Sequence, residues 1–104
     1  MQKDPLLEKM IVALRSWDPE CRAFLFGSRA RGDHLKGSDY DLLIISRKFK
    51  GIPFTARAGI LLRVLGPWAD RVEVLCYTPD EFKRKSKELG VVSEAIKEGR
   101  SLLP

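Results

Sequence analysis

The run Asp39-Tyr40-Asp41-Leu42-Leu43-Ile44-Ile45 constrains this chain more than any other stretch. Its aliphatic half reads as a buried strand, yet two carboxylates stand at its mouth. Side chains alternate along a strand with period two, so Asp39 and Asp41 point to one face. Like charges side by side cost energy unless a cation sits between them. A fold that accepts this strand must bring something to the two acids.

The surrounding sequence supplies the partners of that strand. Arg22 to Phe26 is a short apolar strand stopped by Gly27-Ser28, and Asp39 to Ser46 is the second strand. Arg71 to Tyr77 is the third. The ten residues between Ser28 and Asp39 are too few for a parallel crossover, so the first two strands are expected to be antiparallel neighbours. The longer connection from the second strand to the third allows a parallel pair. Helices are expected at Pro5 to Trp17, where Leu6, Leu7, Met10, Ile11 and Leu14 form an apolar stripe, and from Pro53 to about Leu65, ended by Gly66-Pro67. Thr78-Pro79-Asp80-Glu81 opens another helix to about Leu89, with an N-cap threonine and early acids. Arg47 to Gly51 reads as a basic turn, Val91 to Glu98 as a last short helix, and the C-terminal residues as a frayed tail. The fold class is α/β (α+β): a small mixed sheet with helices packed on it.

Length and composition bound the rest. The 104 residues make one domain, 1–104, able to bury roughly 65% of its unfolded surface. No run of 18 or more apolar residues is present, and the first residues lack a signal-peptide pattern, so a cytoplasmic protein is expected. Cys21 and Cys76 fit neither a metal spacing nor a disulfide framework and read as small buried residues. The net charge of +5 suits a polyanion such as a nucleotide or RNA, and equally a set of solvated lysine-rich helix faces.

The chemistry concentrates where the strands meet. With the first two strands antiparallel, the Gly27-Ser28 turn lies beside Asp39 and Asp41. Glu73, in Val72-Glu73-Val74-Leu75, is a carboxylate in an apolar run, and burial there without a partner is expensive. It is therefore expected to face the same patch. Three converging acids call for hard divalent cations with oxygen ligands, Mg²⁺ above all. Two such ions about 3.5–4 Å apart clamp the attacking and leaving oxygens of phosphoryl-type transfer. Gly27 lets a phosphate chain approach the backbone. Ser28 offers a hydroxyl and, if a helical turn begins there, an N–H group. Arg29 or Arg31, the latter favoured, balances phosphate charge.

Gly27-Ser28-Arg29-Ala30-Arg31-Gly32 followed by Ser38-Asp39-Tyr40-Asp41-Leu42 resembles the signature of the DNA polymerase β-like nucleotidyltransferase superfamily, and at this length its minimal branch. The resemblance covers about Phe24 to Leu75. It implies that Asp39 and Asp41 bind both Mg²⁺ ions and that Gly27 and Ser28 hold the triphosphate. It also implies that the third acid completes one metal site and helps activate an acceptor hydroxyl. That acid is usually aspartate; here it is Glu73, whose extra methylene moves the carboxylate by roughly 1.5 Å, a displacement large enough to matter to rate. The implied reaction is transfer of a nucleoside monophosphate, in the first instance AMP from ATP, to a hydroxyl on protein or RNA. The implied partner is a HEPN-domain protein, with this chain as antitoxin. The alternative is a nucleotide-binding or partner-neutralising module without turnover. The chain shows no acceptor-binding domain, so a partner or a second copy would complete the acceptor site. Trp68 and Leu102-Leu103 are candidate contacts, though for Trp68 the role of core anchor is preferred. His34 reads as a solvated loop residue, and Lys83, Arg84, Lys85 and Lys87 as a solvated helix face.

Overall fold

A computed structural model describes residues 4–32, 39–88 and 90–103. His34 and the rest of the loop before Asp39 lie outside the described residues, as does Leu89. The first helix, α1 (Pro5–Trp17), begins where the Asp4 carboxylate accepts the Leu7 N–H at 3.2 Å, with Pro5 in the first turn. Strand β1 (Arg22–Phe26) leads into a single helical turn, α2 (Ser28–Arg31), which Gly32 closes in the left-handed region. Then follow β2 (Tyr40–Ile45), α3 (Phe54–Leu65), β3 (Val72–Tyr77), α4 (Pro79–Lys85), α5 (Val91–Glu98) and β4 (Arg100–Leu103). Short 3-10 turns occupy Arg47–Phe49 and Gly66–Arg71.

The strands form one mixed sheet in the order β3-β2-β1-β4. β1 is antiparallel to β2 and to β4, and β2 is parallel to β3. This is the small mixed sheet expected from the sequence, with one strand more. The C-terminal residues are not a frayed tail: Leu103 lies opposite Ala23 and is buried. Leu102 is half-buried against the same core, so Leu102-Leu103 is not a free surface for a partner. Trp68 also packs, partly buried, against this core.

Period two sorts the sheet residues into two faces. Ala23, Leu25, Tyr40, Leu42, Ile44, Val72 and Cys76 pack with Leu7, Met10 and Leu14 of α1 and Leu61 and Leu65 of α3. Phe24, Leu43, Ile45 and Tyr77 pack with Phe82 of α4 and Val92 and Ala95 of α5. Both cysteines are buried and free, and burial pushes their thiols up to about 11 for Cys21 and about 12 for Cys76. Helix α4 is shorter than expected. After Lys85 the backbone bonds tighten to Lys87 N–H on Arg84 and Glu88 N–H on Lys85, and the Ser86 hydroxyl donates back to the Lys83 carbonyl. Lys83, Arg84, Lys85 and Lys87 are exposed, as a solvated face should be. No helix among the described residues is long and apolar enough to cross a membrane.

One ion pair joins both sides of the sheet edge. Arg57 of α3 is 5% exposed and donates to the Ile52 and Cys76 carbonyls and to both Glu81 oxygens. Glu81 also accepts the Thr78 N–H at 2.8 Å, closing the α4 capping box. The Arg57 guanidinium holds its carboxyl down at about 2. Sequence marks Glu81 as a cap only; nothing in it marks Arg57 as buried.

Candidate active site

Asp41 is the second residue of β2, and both of its strand neighbours bear on it. On one side it lies opposite Phe26, the last residue of β1, and on the other it lies beside Glu73 of β3. Parallel in-register pairing turns both carboxylates to one face of the sheet. That face is the one covered by α4 and α5. Glu73 is exposed rather than buried, a correction to the expectation from its apolar run, and Asp41 is half-buried. The strand itself opens at Tyr40; Asp39 stands just before it, exposed.

Electrostatics tie the acids together. Burial raises the Asp41 carboxyl above its ordinary range, and the Glu73 charge, a hydrogen bond with Glu73 and the Asp39 charge raise it further, against a smaller opposing pull from Arg31. The acids thus crowd one another more than the local arginine compensates.

The turn after β1 completes the arrangement. Gly27 has φ 72° and ψ −157°, a conformation open essentially to glycine alone. A Cβ there would stand 2.3 Å from Oδ2 of Asp41. The Gly27 backbone therefore lies directly against the Asp41 carboxylate, and Ser28 starts the helical turn beside it. The two arginines of that turn have separate jobs. The Arg29 guanidinium stacks over the Tyr40 ring, 3.9 Å from its centroid, and stands 3.9 Å from Asp4. The Tyr40 hydroxyl donates to the other end of this cluster, Asp4 Oδ2, at 2.6 Å. Burial raises the Asp4 carboxyl, but the bonds from Tyr40 and the Leu7 N–H together with Arg29 outweigh it and hold it low. Tyr40 faces α1, so Arg29 anchors the turn from the side of the sheet opposite Asp41. Arg31, exposed, is the one felt by Asp41.

The geometry thus joins Gly27, Asp41 and Glu73, sets Ser28 beside them, and leaves Asp39 and Arg31 within electrostatic reach. Sequence reasoning missed the Asp4–Tyr40–Arg29 anchor, because Tyr40 between two acids reads only as a strand residue. Among the described residues no three of His, Cys, Asp and Glu form a ready-made metal cage. Two adjoining carboxylates with an all-oxygen donor set still fit Mg²⁺, which keeps several waters and takes substrate phosphates rather than a full protein cage.

Comparisons with known proteins agree with the fold and the motif. A candidate nucleotidyltransferase from Sulfolobus solfataricus superposes with a TM-score of 0.51 at 26% identity, over 80% of this chain and 82% of that one. The XC975 protein, known from a solution structure, shares the fold with a TM-score of 0.50 at 24% identity, over 78% of this chain and 99% of that one. No curated protein matches significantly. The family model of the nucleotidyltransferase domain matches residues 7–103. Signature, sheet topology and sequence match converge: the chain belongs to the nucleotidyltransferase-domain family.

Proposed function

We propose that this domain transfers a nucleoside monophosphate, AMP from ATP first, to a hydroxyl on a protein or RNA acceptor, with release of pyrophosphate. The single observation that carries the reading is the in-register meeting of Asp41 and Glu73 against the Gly27 backbone. In the reaction the acceptor oxygen forms a bond to the α-phosphorus while the bond from that phosphorus to the α,β-bridging oxygen breaks. Glu73, the more exposed of the pair, takes the acceptor proton. Gly27 and Ser28 receive the triphosphate, and Arg31 balances its charge. Asp39, Asp41 and Glu73 would hold the divalent ions, two Mg²⁺ in this reading, which supply charge neutralisation at the reacting phosphate. A HEPN-domain protein in a toxin–antitoxin pair is the partner we assign, and the cytoplasm the compartment.

A second reading, nucleotide binding or partner neutralisation without turnover, draws on the absence of a three-carboxylate cluster among the described residues. One experiment separates the two. The full chain is incubated with Mg²⁺, α-labelled ATP and candidate acceptors, and label transfer is followed beside nucleotide binding. Transfer abolished by Asp39→Asn with Asp41→Asn supports the enzyme, and Glu73→Asp then reports whether carboxylate reach limits the rate. Binding without transfer supports the second reading. Transfer undiminished in the double variant refutes the site.

A further inference from the structure

The far end of the sheet is also open to solvent. Where β2 ends, a cleft of about 490 Å³ opens between the start of β1, the Ser46–Lys48 segment and α4. Ser46 lies five positions beyond Asp41, about 17 Å along the strand, so this cleft is distinct from the acid pair.

Its chemistry is that of a receptor for anions with an apolar body. Ile45 and Phe82 form an apolar floor, and Arg22, Arg47, Lys48 and Lys83 outnumber the two acids of the lining, Asp18 and Glu20. Asp18 is spent internally: one oxygen accepts the Glu20 N–H at 3.0 Å and the other the Ser46 hydroxyl at 2.5 Å. The Lys48 ammonium is spent too, donating to the Trp17 carbonyl beside the Trp17 ring. Arg22, Arg47 and Lys83 are exposed, and among the described residues none of them forms an ion pair.

Arg22 is held ready. Its guanidinium lies 5.4 Å from the Phe24 centroid and 5.3 Å from that of Phe82. A guanidinium resting on aromatic rings keeps its N–H donors for acceptors, and a carboxylate matches that fork with two parallel bonds. The same rings argue against a polynucleotide. Phe82 is stacked on Phe24 at 5.8 Å, capped by Arg22 and only 9% exposed, so the cleft offers no free aromatic face for a base.

We propose that this cleft binds an acidic peptide segment of a partner protein. One carboxylate sits on the Arg22 fork, an aliphatic side chain enters over Ile45 and Phe82, and flanking carboxylates meet Arg47 and Lys83. The proposal does not depend on nucleotidyl transfer.

The test is calorimetric titration of the full chain with the unlabelled peptide Gly-Glu-Glu-Leu-Glu-Glu-Gly, with a single-stranded oligouridylate as comparator. Saturable peptide binding is expected, weakened about tenfold or more by Arg22→Gln. The rim double variant Arg47→Glu with Lys83→Glu, whose side chains are outside the core, is expected to do the same, and melting curves verify that both proteins are folded. Replacing the peptide leucine by serine should weaken binding a few-fold, and Asp41→Asn should leave it unchanged. The proposal is overturned by no binding at millimolar peptide, by equal affinity in the rim variant, by tighter binding of the oligouridylate, or by loss of peptide binding in Asp41→Asn. Failure of label transfer with peptide binding intact would count against the catalytic reading alone.

Discussion

Replacing Gly27 by alanine tests the site at its tightest point. The new Cβ would stand 2.3 Å from Asp41 Oδ2, where ordinary contact begins at 3.4 Å, so the carboxylate must retreat by 1.1 Å. Turning Asp41 off its rotamer costs about 0.5–1.5 kcal/mol. Holding a non-glycine residue at φ 72° and ψ −157° costs about 1–3 kcal/mol more. A total of roughly 1.5–4.5 kcal/mol lowers the melting temperature of a domain this size by about 6–36 °C. A carboxylate displaced on the 1 Å scale costs about a hundredfold in rate, read as transfer of labelled nucleotide below the melting transition. Gly32→Ala is the control: it too has positive φ, at 80°, but nothing lies within 4 Å of the added Cβ, so about 1 kcal/mol is expected. Adding Asp41→Ala to Gly27→Ala removes the atoms that clash, the remaining Asp41 Cβ standing 3.4 Å away. Urea unfolding of the four proteins forms a double-mutant cycle in which about 1 kcal/mol is recovered. Equal losses at Gly27 and Gly32 with no recovery would refute the contact between Gly27 and Asp41.

Glu81 sits at about 2 in the fold against an ordinary value of 4.5. Its stabilisation is therefore complete above 4.5 and lost as pH falls toward 2. Glu81→Gln should cost on the order of 2–3 kcal/mol at pH 7 and flatten that acid limb in urea titrations; an unchanged limb would reject the Arg57–Glu81 assignment. Asp41 has the opposite sign: its raised carboxyl makes its contribution decline as pH rises through the range above the ordinary carboxylate value. Without divalent ions at neutral pH, Asp41→Asn should melt at or above the wild-type temperature, while Mg²⁺ with ATP should raise the melting temperature of the wild type only. A lower melting point for Asp41→Asn would contradict the crowding of the acids. Leu103→Ala should cost about 2–4 kcal/mol by equilibrium unfolding, and a loss under 0.5 kcal/mol would mean that β4 is not docked.

Motifs with local causes were legible. The α1 stripe, the Thr78–Glu81 capping box and the alternation around Asp41 each act within a few residues, so sequence reveals them. The antiparallel pairing followed from connection length, which allowed the parallel pair without requiring it. What sequence hid depends on distant partners. Arg100 to Leu103 carries too few residues to read as a strand, and it becomes one because β1 offers a free edge for it. Arg57 reads as an ordinary helix-surface cation until Glu81 and two carbonyls converge on it. Glu73 was expected to be buried because its neighbours are apolar, and it is exposed because the element covering that face does not reach it.

That last point explains why the acids occupy one particular face and end of the sheet. β2 has six residues, about 20 Å of strand. On the face with Tyr40, Leu42 and Ile44, α1 of 13 residues and α3 of 12 are about 18–20 Å long, enough to shade the whole strand, and all three residues are buried. On the other face α4 has seven residues and α5 eight, only about 10–12 Å of helix. Each therefore covers little more than half a strand length. Exposure runs accordingly: Tyr77 and Ile45 are buried, Leu75 is half-buried, and Glu73 is exposed. A carboxylate placed at Leu43, mid-strand and fully buried, would be sealed in the core that Phe82, Val92 and Ala95 complete. At the Tyr40 end the same strands remain open to solvent beside the Gly27 turn, so the shortness of α4 and α5 makes an accessible site there compatible with a closed core.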